Sequence, residues 1–119
     1  MSMEEIKNQI GEEKSYSREE AAEFAQAIYK HELGRRKAVD KGVITMSELE
    51  IYFFANVWVQ KNMPFIEDLC GEEQERVYDL LEKRVRQVAA ETYSISEERV
   101  REIIDKVRKI PRAYSEDKD

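Results

Sequence analysis

Residues 47–62, "SELEIYFFANVWVQKN", contain the most apolar run of the chain and are the strongest indicator of its fold. Its apolar side chains would surround a helix axis on nearly every side: Leu49, Ile51, Tyr52, Phe53, Phe54, Ala55, Val57, Trp58 and Val59. The β-propensity of the run is also high, so a strand is the alternative. A strand needs a partner, and no second segment has the pattern of one. We therefore predict a central, buried helix.

The chain on either side of this helix carries further helix signals. Ser2 with Glu5, Ser17 with Glu20, and Thr45 with Glu48 or Ser47 with Glu50 have the spacing of capping boxes. The segment from Ser17 to about Lys41 has helical periodicity that Gly34 interrupts, and Gly42 is suited to follow its end. Residues 72–93 and 95–107 repeat apolar positions with a helical period, and 64–71 is a short turn. The prediction is an all-α fold, a compact bundle of four to five helices over 1–110, followed by a flexible polar tail over 111–119.

Composition agrees with one small helical domain. The 119 residues include 20 Lys and Arg against 26 Asp and Glu, for a net charge of −6. Four glycines and two prolines are too few for the turns of an all-β domain. An acidic chain repels nucleic-acid phosphates on average, although a local basic face can override the mean.

Cysteine usage and hydropathy indicate a cytoplasmic protein. Cys70 is the only cysteine, so no intrachain disulfide can form, which suits a reducing compartment. The opening residues "MSMEEIKNQIGEE" lack the apolar core of a signal peptide. The run "IYFFANVWV" has nine residues, far fewer than the ~20 that span a bilayer. No membrane partner is expected.

The residues that usually carry catalysis are scarce. His31 and Cys70 lie in different predicted segments, and one histidine cannot supply a dinuclear carboxylate site or a structural zinc site. No phosphate-binding glycine loop is present. The acidic pairs sit at helix starts, where they complement the helix dipole, and no carboxylate is expected to face the core. The predictions are no enzyme activity, no cofactor and no metal.

Two regions carry local positive charge. The first, "KHELGRRKAVDK" at 30–41, has five Lys and Arg against two acids. Its Arg35, Arg36 and Lys37 are candidates for an anion patch. The alternative is that these cations gather at a helix C-terminus because the dipole favours them there.

The second region is "RVRQVAAETYSISEERVREIIDKVRKIPR" at 84–112, in which Lys and Arg outnumber acids eight to five. A helix-turn-helix needs a small residue on its first helix, a tight turn, a cap and apolar anchors. Ala90, Ser94, Ser96 and Val100 have the spacing for these roles in turn. The alternative is an ordinary capped corner between two helices.

This region resembles the helix-turn-helix in region 4 of bacterial sigma-70-type factors. Residues 98–101, "ERVR", match the run of that family, and the matching basic end consists of Lys106, Arg108, Lys109 and Arg112. The resemblance implies DNA contacts by Ser96, Arg99, Arg101, Lys106 and Arg108. The chain departs from the family pattern with Ser94 in place of the turn glycine, with a long first helix, and with Glu97 and Glu102 where contacting residues are expected.

A helix that is apolar all round can only just be covered by a chain of this size. A spare face would form an interaction surface, with Tyr52, Phe54 and Trp58 as partner-binding anchors. We therefore expect a small non-enzymatic regulatory or adaptor protein that acts through protein–protein contacts, with a homodimer as one form of that contact. The alternatives are a DNA-binding regulator using residues 84–112 and an enzyme subunit without its own active site.

Overall fold

Five helices account for 82% of the residues that the computed structural model describes, which are 14–63 and 71–110. In chain order they are α1 (Arg18–His31), α2 (Leu33–Asp40), α3 (Met46–Asn62), α4 (Gly71–Tyr93) and α5 (Glu97–Arg108). No strand occurs in these two ranges. The all-α prediction is confirmed. The predicted helix near Ser2, most of the 64–71 turn and the polar tail lie outside the described residues.

Local capping determines where the helices begin. The hydroxyl of Thr45 accepts a 3.0 Å hydrogen bond from the Glu48 N–H, and the Glu48 carboxylate accepts one of 3.0 Å from the Thr45 N–H. This is the full capping box, so the Thr45 alternative was the correct one. Ser17 caps α1, with its hydroxyl accepting from the Glu20 N–H at 3.1 Å. These bonds occupy backbone donors that a helix start leaves without partners.

The long segment predicted between Ser17 and Lys41 forms two helices. The chain breaks at Glu32, whose extended backbone (φ −104°, ψ 99°) ends α1, two residues before the predicted interruption at Gly34. Gly34 itself is buried inside α2. After α2, Gly42 adopts the positive φ of 75° expected for a residue that follows a helix end. The break lets α2 pack on α1.

Helix α3 is the centre of the molecule, as predicted. Helices α1, α4 and α5 all pack against it, α5 also packs on α4, and α2 packs on α1. Phe54 lies between two other aromatic rings, with centroids 5.6 Å from that of Tyr16 and 5.5 Å from that of Tyr93. The largest fully buried side chains are Trp58, Phe54, Ile44, Leu49, Val77, Val85, Val100 and Val107. They come from the α2–α3 loop, α3, α4 and α5, which therefore share one core.

An amide clamp holds the segment before α1 onto the C-terminal end of α3. The side chain of Asn62 accepts from the Lys14 N–H at 2.7 Å and donates to the Lys14 carbonyl at 3.0 Å. It also donates to the Trp58 carbonyl at 2.9 Å. Asn62 is buried, so its bond to the Trp58 carbonyl forms away from bulk water, while its two bonds to Lys14 are partly buried.

Within 14–63 and 71–110, no helix has both the length and the apolar character needed to cross a bilayer.

Candidate functional site

The three predicted anchors lie in the core. Tyr52, Phe54 and Trp58 are 8%, 1% and 1% exposed, because α1, α4 and α5 together cover α3 on its several faces. The prediction that these side chains form a partner-binding surface is therefore corrected: in this fold they stabilise the bundle. Any partner must contact other residues, unless the bundle opens.

One of the three residues predicted to form an anion patch, Arg35, is buried in the structure. Arg35 is 3% exposed, and its Nη1 donates to the Glu32 carboxylate at 2.7 Å. Its guanidinium lies over the rings of Tyr52 and Phe53, 5.1 and 5.2 Å from their centroids. Arg35 is thus a buried cation that stacks on aromatic rings rather than a surface contact for an anion. Lys37 is exposed and Arg36 is half-buried on the outer side of α2.

The corner between α4 and α5 forms where the sequence predicted it. Ser94 has a positive φ of 55°, the left-handed conformation in which the sigma-70-type pattern has glycine. The Ile95 N–H donates to the Ala90 carbonyl at 3.0 Å, and Ser96 caps α5 by accepting from the Arg99 N–H at 3.0 Å. The first helix of this corner, α4, is 23 residues long.

The cations predicted to contact DNA are each paired within the chain. Lys106 and Arg99 lie 3.1 and 3.3 Å from the carboxylate of Glu48. Two surface pairs complete the set: Arg101 with Glu98 at 3.3 Å, and Arg108 with Glu82 at 3.5 Å. Helix α5 itself carries four acids and four cations, so it has no net positive charge.

Glu48 corrects the expectation that no carboxylate faces the core. It is 6% exposed and lies between the start of α3 and the side of α5. Burial raises the pKa of Glu48, but hydrogen bonds from Lys106 and from the Thr45 N–H, with the charges of Lys106 and Arg99, outweigh burial and hold the pKa below its ordinary value. The carboxylate is therefore ionised at neutral pH and joins two helices.

A groove opens between α3, α4 and α5, with a volume of about 280 Å³. Its floor is apolar, and both of its walls carry charge. The lining residues are Ala55, Asn56, Val59 and Gln60 from α3, Tyr78, Glu82, Val85 and Arg86 from α4, and Arg101, Ile104, Asp105 and Arg108 from α5. We call this feature the α3–α4–α5 groove.

Helical spacing brings these residues onto one face of each helix. Tyr78, Glu82 and Arg86 are four residues apart, as are Arg101 and Asp105, and such residues stack along one side of a helix. The groove was not predicted from the sequence, although this spacing was its signal. Side chains of opposite charge at these intervals also fit an ordinary solvated face, so the spacing alone could not distinguish the two.

The groove is lined by apolar, amide, phenol, carboxylate and guanidinium side chains. Burial, together with the neighbouring Glu82 carboxylate, raises the pKa of Tyr78, so its hydroxyl stays protonated as a donor. None of the lining residues is Ser, Thr, Cys, His or Lys, so the groove lacks the usual nucleophiles and the usual neutral-pH base. Among the described residues, no group of three or more His, Cys, Asp or Glu side chains could hold a metal ion. His31 is exposed on α1, and Cys70 lies outside the described residues.

Residues 14–63 and 71–110 form a small helical bundle with a groove between α3, α4 and α5. No protein-family model, curated protein or solved structure matches it. Its function is therefore inferred from the groove and the surfaces around it.

Proposed function

We propose that this protein is a small, non-enzymatic regulatory or adaptor protein that binds a protein partner in the α3–α4–α5 groove. The observation that carries the proposal is the combination of an apolar floor (Ala55, Val59, Val85 and Ile104) with charged walls. An apolar centre inside a polar rim is the usual anatomy of a protein–protein contact. Arg and Tyr, which are enriched at such contacts, line the walls.

The size of the groove favours a partner's side chains over a free metabolite. Small-molecule sites usually enclose ~300–1,000 Å³ and bury most of the ligand. At about 280 Å³ this groove lies at the lower end of that range, and it is open to solvent along exposed residues such as Gln60 and Asp105. It is suited to one or two side chains projecting from a larger molecule.

Site-specific photocrosslinking tests the proposal without disturbing the core. A benzophenone amino acid replaces Gln60, an exposed residue in the groove, and Val43, an exposed residue in the α2–α3 loop, serves as the matched control. We expect a defined crosslinked protein from position 60 and none from position 43 in cells that express the chain. Crosslinks from position 43 alone, or from neither position, would remove the groove from consideration.

A second copy of the chain is one form that the partner could take. Sedimentation velocity at several concentrations separates this case, because a groove-mediated homodimer gives a concentration-dependent mass. An Ile104→Arg substitution would abolish that dimer by placing a charge in the groove floor. A monomer at all concentrations assigns the groove to a different protein.

DNA binding by the α4–α5 corner is the second candidate function. The left-handed Ser94 and the Ser96 cap support it, since both belong to the corner that the sigma-70-type pattern requires. DNA contact by Arg99 or Lys106 would compete with their ion pairs to Glu48. A mobility-shift titration across salt tests this function: binding that weakens steeply with salt and is reduced by Arg101→Gln supports it. No shift at micromolar protein rules it out.

A further inference from the structure

We propose that the α3–α4–α5 groove selects a partner segment presenting a single carboxylate beside a branched aliphatic side chain, with Arg86 as the residue that sets this specificity. The inference rests on the proposed function, because it identifies the chemistry of the partner that the groove would bind. It follows from three properties of the groove: a cation without a carboxylate partner, an aliphatic floor and a small net charge.

Arg86 is the groove cation whose guanidinium still has hydrogen-bond donors available for a partner. Its Nε donates weakly to the Glu82 carbonyl one turn earlier, at 3.4 Å. Within 14–63 and 71–110, no carboxylate pairs with its guanidinium, whereas Arg101 and Arg108 have Glu98 and Glu82 as partners. The two terminal nitrogens of Arg86 therefore remain as donors, in the planar fork that a carboxylate accepts with two parallel hydrogen bonds.

The floor beside Arg86 is aliphatic. Val59 of α3, Val85 of α4 and Ile104 of α5 meet there, and Ala55 leaves space because its side chain is small. Val85 is buried and precedes Arg86 directly in α4. Val59 and Val85 are already buried, so a branched aliphatic side chain would mainly cover Ile104, which is partly exposed, while a neighbouring carboxylate reaches the guanidinium.

The charge of the walls limits the partner to a single carboxylate. Three arginines face two acids, Glu82 and Asp105, so the net charge of the lining is +1. Glu82 neutralises Arg108 and Glu98, from outside the lining, neutralises Arg101, so Arg86 is the lining cation left without a carboxylate partner among the described residues. Asp105 would repel a second negative charge, which disfavours polyanions and strongly acidic segments. The groove is thus complementary to a monoanion with an apolar neighbour.

Methyl and amide NMR titration with capped dipeptides tests this inference. The probes are N-acetyl leucyl-glutamate amide, its leucyl-glutamine counterpart, and alanyl-glutamate. We expect leucyl-glutamate to shift the methyl signals of Val85 and Ile104 and to bind about tenfold more tightly than either other probe. Arg86→Gln should remove the preference for glutamate over glutamine. Lys83→Gln, which removes an exposed cation of α4 outside the groove lining, should leave it within about twofold.

Each other result overturns the inference. Equal binding of the glutamate and glutamine probes would mean that the groove binds an apolar side chain but does not distinguish a carboxylate from an amide. This result would contradict the inference but not the proposed function. An equal effect of Lys83→Gln would show that the preference reflects general surface charge, and it would remove the special role of Arg86. No shift with any probe at 20 mM, a concentration on the order of the millimolar affinities expected for fragments, excludes this partner chemistry, and crosslinking at position 60 then decides the proposed function by itself.

Discussion

The Glu48 carboxylate lies 3.1 Å from Nζ of Lys106, a residue 58 positions later in the chain. The same carboxylate caps its own helix through the Thr45 N–H and accepts a hydrogen bond from Arg99 at 3.3 Å. One acidic side chain therefore completes the start of α3 and attaches α5 to it. Since α5 also forms one wall of the groove, this cluster sets the position of a wall that the proposed partner would contact.

Glu48→Gln should lower the free energy of unfolding by about 2 kcal/mol at neutral pH. The substitution keeps the shape of the side chain but removes the negative charge that two cations and a backbone N–H contact, and hydrogen bonds to charged groups contribute about 1.5–3 kcal/mol. Urea denaturation followed by circular dichroism measures the change. Glu98→Gln is the matched control, because the Glu98–Arg101 pair is exposed and should contribute less than about 1 kcal/mol. Equal effects of the two substitutions would contradict this account.

The contribution of Glu48 should also depend on pH. Its pKa in the folded protein lies below the ordinary value of 4.5. A carboxyl whose pKa is lowered by folding stabilises the protein above that ordinary value, and the stabilisation is lost as the pH falls through the folded pKa. We therefore expect the stability difference between wild type and Glu48→Gln to be constant from pH 7 to about 5 and to shrink below about 4.5. A difference that stays constant down to pH 3 would show that the charge has no part in it.

Ser94→Gly should stabilise the protein by about 0.5 kcal/mol. A residue with a Cβ atom is destabilised by about 1–2 kcal/mol in the left-handed conformation that Ser94 adopts, and glycine avoids this cost. Glycine also makes the unfolded chain more flexible, so folding loses more entropy and part of the gain is offset. The control is Ser47→Gly, an identical chemical change within the first turn of α3, which should destabilise by about 0.5–1 kcal/mol. Thermal unfolding of the two variants should move the midpoint in opposite directions. A lower midpoint for both would mean that Ser94 is not strained.

Features that depend on a few neighbouring residues were predictable from the sequence. The Thr45 and Ser96 caps and the turn at Gly42 follow from residues within one helical turn and form as expected, whereas the predicted Ser17–Glu20 capping box forms only its Ser17 half. The central position of α3 followed from apolar side chains around its whole circumference. These signals are local or averaged over a full helix, so they do not require knowledge of how the helices rotate against each other.

Features that depend on helix rotation were not predictable. Arg35 was placed in a surface patch because its neighbours are charged, but the break at Glu32 turns it toward Tyr52 and Phe53. The charge of Glu48 suggested only a cap, since nothing near it in sequence shows that α5 lies 51 to 58 positions away and supplies two cations. The groove was not predictable for the same reason, because its lining comes from three helices and depends on how they are oriented against each other.

Asn62→Ala should release the segment before α1 without unfolding the bundle. The amide of Asn62 makes two hydrogen bonds with the N–H and the carbonyl of Lys14. Without that amide, these two backbone groups would form hydrogen bonds with water instead. Tyr16 packs on Phe54 and its ring lies 5.1 Å from the Lys61 ammonium, and these contacts alone would then hold the segment. We expect the free energy of unfolding to fall by about 1–2 kcal/mol, because the substitution removes one partner of buried or partly buried hydrogen bonds.

Hydrogen exchange distinguishes this local release from a general loss of stability. In the wild type the Lys14 N–H is bonded to a buried acceptor and should exchange slowly, whereas in Asn62→Ala it should exchange at least tenfold faster. The matched control is Lys61→Ala, one position earlier in α3, which removes the cation next to Tyr16 but leaves the amide clamp intact. If the Lys14 N–H exchanges equally fast in both variants, aromatic packing holds the segment. If it is fast already in the wild type, the clamp is open in solution and Asn62 contributes only through its bond to the Trp58 carbonyl.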